Sequence, residues 1–165
     1  LGCGGGGGSD DEAGGDGSSD ETTTTGVAAP TGRCTVVLDG ELATLFPGGE
    51  PDAPGTDDDT TCDWEVTMMG SGVTGRLHLG VVPLSFDKAV ADADQLGSTA
   101  EDLDGLGDRA VVLARPALVQ VVVETDGQVL AASAVYDDTQ APRPDDDVVE
   151  RVLVAMVGRL LEPAA

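Results

Sequence analysis

The run Leu118-Val119-Gln120-Val121-Val122-Val123-Glu124-Thr125-Asp126-Gly127-Gln128-Val129-Leu130-Ala131-Ala132-Ser133-Ala134-Val135-Tyr136 decides the fold class. Two β-rich segments meet at Asp126-Gly127, a dipeptide that favours the two-residue type I′ hairpin turn because both residues tolerate positive φ. Residues 118–123 are almost continuously apolar, so this strand is expected near the centre of a sheet, covered on part of both faces. Residues 110–114 supply a third strand, joined to it through Arg115-Pro116.

Further towards the N-terminus the pattern is strict alternation. Cys62, Trp64, Val66 and Met68 fall on one side, with Asp63, Glu65 and Thr67 between them, and residues 76–82 repeat the alternation after Gly70-Ser71-Gly72. That pattern predicts a second hairpin. Ser85 is placed to cap a helix of about ten residues, with Phe86, Ala89, Val90 and Ala93 on one face and Asp87, Asp92 and Asp94 on the other. Asp145-Asp146-Asp147 precedes a helix over residues 148–161, whose stripe of Val149, Val152, Leu153, Met156, Leu160 and Leu161 is expected to pack on the sheet. Acid at its start and Arg159 near its end complement the helix dipole, and Pro163 stops it. Leu38, Leu42, Leu45 and Phe46 recur at helical spacing after an Asp39 cap and before Pro47, so a short helix is expected over residues 36–46. Leu103-Asp104-Gly105-Leu106-Gly107-Asp108 reads as a turn whose leucines reach the core. Residues 47–61, rich in Gly, Pro and Asp, read as an aperiodic loop. The sum is a single α+β domain over residues 33–165, with about five antiparallel strands and helices packed on one face.

Residues 1–32 are different in kind. They hold eleven of the 24 glycines and six acidic residues, with no basic one. With so little apolar surface to offset backbone entropy, this segment is expected to be a disordered tail. At its head, Leu1-Gly2-Cys3 matches the C-terminal end of a lipobox, so Cys3 is expected to be the lipid attachment residue of an exported protein, with the signal segment ahead of it trimmed. A diacylglycerol there would supply the two acyl chains that stable anchoring requires. A free thiol or an intermolecular disulfide at Cys3 is the alternative. Setting Cys3 aside leaves Cys34 and Cys62, which in an exported chain are most economically a disulfide. Two thiols in a metal site fit worse, because His78 is the single histidine and there is no Cys-x-x-Cys pair to complete a tetrahedral set.

Across 165 residues the net charge is −23, from 31 acidic and 8 basic side chains, and aromatic residues make up 2%. That field repels a phosphate backbone, and the aromatics are too few for a base-stacking platform, so nucleic acid is excluded as a partner. No apolar run approaches the length of a transmembrane helix. The chain contains no Ile and no Asn, and its one Lys is Lys88. The codons for these three residues are AT-rich, which points to a GC-rich genome.

The order Leu1-Gly2-Cys3, low-complexity tail, Cys34 before a short helix, Cys62-x-Trp64 opening a strand, Gly105-Leu106-Gly107-Asp108-x-Ala110 and a C-terminal amphipathic helix resembles an actinobacterial lipoprotein family, catalogued as domain of unknown function 3558. The resemblance covers residues 34–162. It implies an envelope-anchored domain with one structural disulfide and no established activity, so it carries over no catalytic residues. Cys34-Thr35-Val36-Val37 departs from it, being more β-like than the helix start usual there.

Candidate chemistry is sparse. Any Ser-His-Asp or Cys-His mechanism must pass through His78, which falls on the polar side of its strand with Arg76 and Gly80 and reads as a solvent-facing residue. Gly70-Ser71-Gly72 lacks the spacing of a nucleophile elbow. Asp57 to Asp59 and Asp145 to Asp147 offer carboxylate oxygens for a hard cation, but adjacent carboxylates do not by themselves converge, and solvated surface is the expected role. Gly105 to Asp108 is expected to be a structural turn and not a phosphate loop, since no lysine follows. Trp64 is expected to plug the core against the disulfide. The expectation is therefore a monomeric, extracytoplasmic lipoprotein on the outer face of the cell membrane, acting by binding and not by catalysis, without cofactor or metal. Its partner would be an envelope protein or a small apolar ligand. A small-molecule or lipid carrier with an apolar cleft, and a weak hydrolase using His78, are the alternatives.

Overall fold

The computed structural model describes residues 31–68, 73–137 and 142–162. The tail up to Pro30, with Cys3, lies outside the described residues, as do the Gly70-Ser71-Gly72 turn and Pro163. A 3₁₀ turn (Gly32–Val36) leads into α1 (Glu41–Leu45), β1 (Gly49–Pro51), β2 (Thr56–Asp57), β3 (Thr61–Met68) and β4 (Val73–Val81). Then follow α2 (Phe86–Gln95), β5 (Thr99–Leu103), β6 (Arg109–Arg115), β7 (Leu118–Thr125), β8 (Gln128–Tyr136) and α3 (Asp146–Leu161).

All strands join one antiparallel sheet in the order β1-β3-β4-β8-β7-β6-β5, with β2 also paired to β3. The Asp126-Gly127 turn forms as expected, with φ of 49° and 73°, and registers Thr125 opposite Gln128. Strand β8 takes the middle of the sheet and β7 lies beside it, which is why both are apolar towards both faces. The α3 face buries Leu77, Leu79, Val112, Val121, Ala132 and Ala134 against Val149, Leu153, Met156 and Val157 of α3. The opposite face buries Val111, Leu113, Val122, Val129 and Ala131 around Phe86 of α2.

Three expectations change. The sheet has 8 strands and not about five. Strands β1 and β2 arise within the Gly/Pro/Asp loop by pairing with successive parts of the outer edge of β3, and β5 (Thr-Ala-Glu-Asp-Leu) pairs only with β6. These edge segments have little burial to impose an apolar alternation, so their strand character comes from the neighbour's backbone. Secondly, the helices do not share one face. The first helix and α3 lie on one side, while α2 covers the other, its N-terminus pinned by Arg109, which bonds Glu124 at 2.7 Å and Asp87 at 2.9 Å and lies 4.4 Å over the Phe86 ring. Thirdly, the helix expected over residues 36–46 is split into the 3₁₀ turn and α1, because Gly40, at φ 87°, and not Asp39, occupies the N-cap. Leu45 and Phe46 are nonetheless fully buried, while Leu38 stands 51% exposed.

Helix α2 has the expected cap, the Ser85 hydroxyl accepting from Lys88 N. Cys34 and Cys62 form the expected disulfide, with Cα atoms 5.1 Å apart, and Trp64 shares their buried cluster. Helix α3 is clamped to the N-terminal layer by Arg159, whose Nη2 reaches both oxygens of Glu41 at 2.6 Å while Nε donates to Val36 O at 2.8 Å. Gly75 faces the buried Phe46 ring closely enough that an added methyl would fall 2.6 Å from its Cε1. Phe46 in turn packs at 5.3 Å, tilted by 49°, against the ring of Tyr136, whose hydroxyl donates to Leu45 O at 3.0 Å.

Candidate functional site: a polar row and a cleft under α2

Antiparallel register sets four polar residues side by side on the α2 face. Asp63 is opposite His78, His78 opposite Ser133, and Ser133 opposite Gln120. Asp63 Oδ1 lies 2.5 Å from His78 Nδ1, both side chains about 40% exposed, and Gln120 Nε2 donates to Ser133 Oγ at 3.0 Å. The row has the residue types of an Asp-His-Ser relay, which requires the imidazole Nε2 to reach the hydroxyl. Instead the ring lies along its own strand, its Nε2 3.1 Å from where a Cβ would stand on Gly80. Ser133 is 5% exposed and engaged by Gln120, and no hydrogen bond joins it to His78 among the described residues. The row is two separate hydrogen-bonded pairs. Its inner members escape a sequence reading, although Gln120 and Ser133 are the lone polar interruptions of their apolar runs.

The other sequence candidates have structural employment. Asp57 accepts from Thr31 N, from Thr31 Oγ1 at 3.0 Å and from Cys34 N at 3.0 Å, holding the 3₁₀ turn beside the disulfide. Asp58 accepts from Thr60 Oγ1 and N at 2.7 Å and from Thr61 N at 2.8 Å. These donors hold its carboxyl down at about pKa 2. Asp145 is the N-cap residue of α3, Asp146 pairs with Arg143, and the Asp147 carbonyl accepts from Arg151 Nε at 3.1 Å. The Gly105–Asp108 segment packs against the β7–β8 turn. Asp108 N donates to Glu124 O at 2.8 Å and Asp126 N to Asp108 Oδ2 at 3.0 Å. Gly107, at φ 60°, leaves no room for a side chain, since a Cβ would sit 2.6 Å from Glu124 O. The segment is a turn that braces the hairpin, and Leu103 and Leu106 pack against the core.

Beyond Gln120 the polar row runs into a cleft of about 180 Å³ between α2 and the sheet. Its walls are Val82, Leu84, Ala89, Ala93, Leu96 and Leu118, with Ser98, Gln120, Asp92 and Arg115 as the polar groups. Of the large apolar side chains that stand exposed among the described residues, Leu84 at 40% and Leu96 at 65% both line it. Arg115 is half-buried, and its Nε is shut off from solvent with no hydrogen-bond partner. A second cleft, of about 200 Å³, lies between β5, β6 and the start of α3, where Glu101, Asp146, Asp147 and Glu150 rim an apolar floor. No three metal-binding side chains converge among the described residues.

Comparison with protein-family models, curated proteins and solved structures finds no match.

Proposed function

We propose that this chain is a lipid-anchored extracytoplasmic binding module, a member of the actinobacterial lipoprotein family that its motif order resembles. The Cys34–Cys62 disulfide carries this reading. Structural disulfides persist in oxidising compartments and are rare in the cytosol, and this one staples the N-terminal edge of a domain that follows a glycine-rich segment headed by Cys3. The chain ahead of Thr31 acts as the tether, Cys3 is the attachment point, and the partner is an envelope protein or a small apolar ligand met by the monomeric domain. Binding is favoured over catalysis because His78 meets no nucleophile among the described residues, its ring lying between Asp63 and Gly80.

The test of anchoring is the intact mass of the native protein from membrane fractions, which should exceed that of the polypeptide by a diacylglyceryl group on Cys3. An unmodified Cys3 thiol in those fractions refutes it. Hydrolysis of ester substrates that disappears in His78→Ala would replace the binding reading with an enzymatic one. The ligand-binding form of the reading draws support from one particular observation, the open apolar cleft under α2 with its unpartnered arginine.

A further inference from the structure

We propose that the cleft under α2 binds a small apolar monocarboxylate, its carboxylate on Arg115 and its apolar body against Leu84, Leu96 and Leu118. This deepens the binding-module reading and rests on it, while leaving the anchor at Cys3 to its own test.

Arg115 stands apart from the other basic side chains. Of the 8 Lys and Arg residues, every one except Arg115 donates to a protein oxygen among the described residues. In a chain with 31 acidic side chains, a basic side chain with no oxygen partner is an exception, and since its Nε is sealed off, the guanidinium meets a ligand in the cleft through its Nη groups. The one carboxylate lining the cleft, Asp92, is taken by Lys88 Nζ at 2.8 and 3.0 Å. The uncompensated charge in the cleft is therefore positive, and a planar fork of donors suits a carboxylate. The acidic surface elsewhere is screened over roughly 8 Å at physiological ionic strength, so it slows the approach of an anion more than it weakens the bound state.

The walls set the rest of the ligand. A volume of about 180 Å³ compares with the roughly 150 Å³ apolar cavity that admits benzene, so the body is one ring or a chain of about six carbons. Leu96, 65% exposed at the mouth, loses its contact with water when such a body enters. Ser98, 9% exposed, brings a hydroxyl to the same wall.

The test titrates the full chain with benzoate and hexanoate, followed by amide shifts in the nuclear magnetic resonance spectrum. Saturable one-to-one shifts centred on Ala93, Leu96, Ser98 and Leu118 are expected. Benzyl alcohol, the same ring without the charge, should bind roughly tenfold or more weakly, as should acetate, the charge without the body. Arg115→Gln should lower benzoate affinity by roughly tenfold or more and erase the preference for benzoate over benzyl alcohol, whereas Arg115→Lys should retain the preference. Ala93→Leu, which fills the cleft from α2 and leaves Arg115 in place, should block both ligands and decides the matter if Arg115→Gln does not fold. Equal binding of benzoate and benzyl alcohol, or benzoate shifts unaffected by Ala93→Leu, overturns the proposal. Absence of shifts from every probe, with an envelope protein co-purifying with the native chain, also overturns it and leaves the binding-module reading standing.

Discussion

Replacing Arg159 with Met removes the clamp between α3 and the N-terminal layer while keeping most of the side chain's apolar stem. Three contacts are lost: two from Nη2 to the Glu41 oxygens at 2.6 Å and one from Nε to Val36 O at 2.8 Å. Side-chain exposure is 25% for Arg159 and 16% for Glu41, so solvent screens the pair only in part. A hydrogen bond to a charged group contributes about 1.5–3 kcal/mol, and an exposed ion pair under about 1 kcal/mol. Glu41 is not orphaned outright, since its Oε2 still accepts from Leu38 N at 2.7 Å. The expected cost is therefore roughly 2–3 kcal/mol, a fall in urea midpoint on the order of 1–2 M. Fluorescence of Trp64, the single tryptophan and a core residue, reports the transition. A double-mutant cycle with Glu41→Gln isolates the pair, and a coupling energy of roughly 1 kcal/mol or more is expected between groups in direct contact. Coupling below about 0.5 kcal/mol, the limit of additivity for independent sites, would refute the claim that this pair ties α3 to the N-terminal layer.

Other outcomes follow from the same packing. Cys34→Ala with Cys62→Ala opens a loop of sequence separation 28 and should cost roughly 3–4 kcal/mol by the chain-entropy relation; label on either thiol after alkylation of unreduced native protein would show the bridge absent. Burial pushes the Tyr136 hydroxyl up to about pKa 12, above its ordinary value of about 10. Folding thus favours the protonated form, a stabilisation fully present below about pH 10 and lost as pH rises towards about 12, worth on the order of 2–3 kcal/mol. Since Tyr136 is the only tyrosine, tyrosinate absorbance should rise together with alkaline unfolding; ionisation near pH 10 in the folded state would contradict this. Gly75→Ala should force the Phe46 ring off its seat and cost roughly 1–3 kcal/mol in chemical denaturation, as overpacking does, while a neutral result would mean the ring has room to shift.

How legible the fold was depended on burial. Strands β6, β7 and β8, the β3–β4 hairpin, α2 and α3 are readable because their residues answer to a core: alternation, a Ser85 cap, an Asp-Gly turn, a stripe on α3. The edge strands β1, β2 and β5 are not, since their pairing comes from a neighbour's backbone and their side chains face water. Periodicity marks the apolar face of α2 but cannot say which side of the sheet it covers; Val111, Leu113 and Val122 hold that answer, and it becomes visible only once the register alternates them away from Val112 and Val121. Arg159 read as a dipole complement and proved to be a clamp, because a contact between residues 41 and 159 has no local signature. At the site, His78 was identifiable as the lone histidine, and its partner Asp63 follows from the hairpin register. Arg115 passed as part of a connection, since its isolation is a property of the other basic residues' partners.

The disulfide also fixes a path for mechanical load. Any pull on the chain ahead of Thr31 enters the domain at the 3₁₀ turn, and at Cys34 it crosses covalently to Cys62 near the start of β3. Between those two cysteines, α1 and β1 sit inside a closed ring that the covalent bridge bypasses, and β2 meets such a force only through the Asp57 hydrogen bonds to Thr31. The tension arrives instead at β3, whose pairing with β4 runs unbroken from Thr61 opposite Gly80 to Met68 opposite Val73. The least regular part of the domain is thereby shielded from whatever tugs on it, and its longest ladders carry the strain.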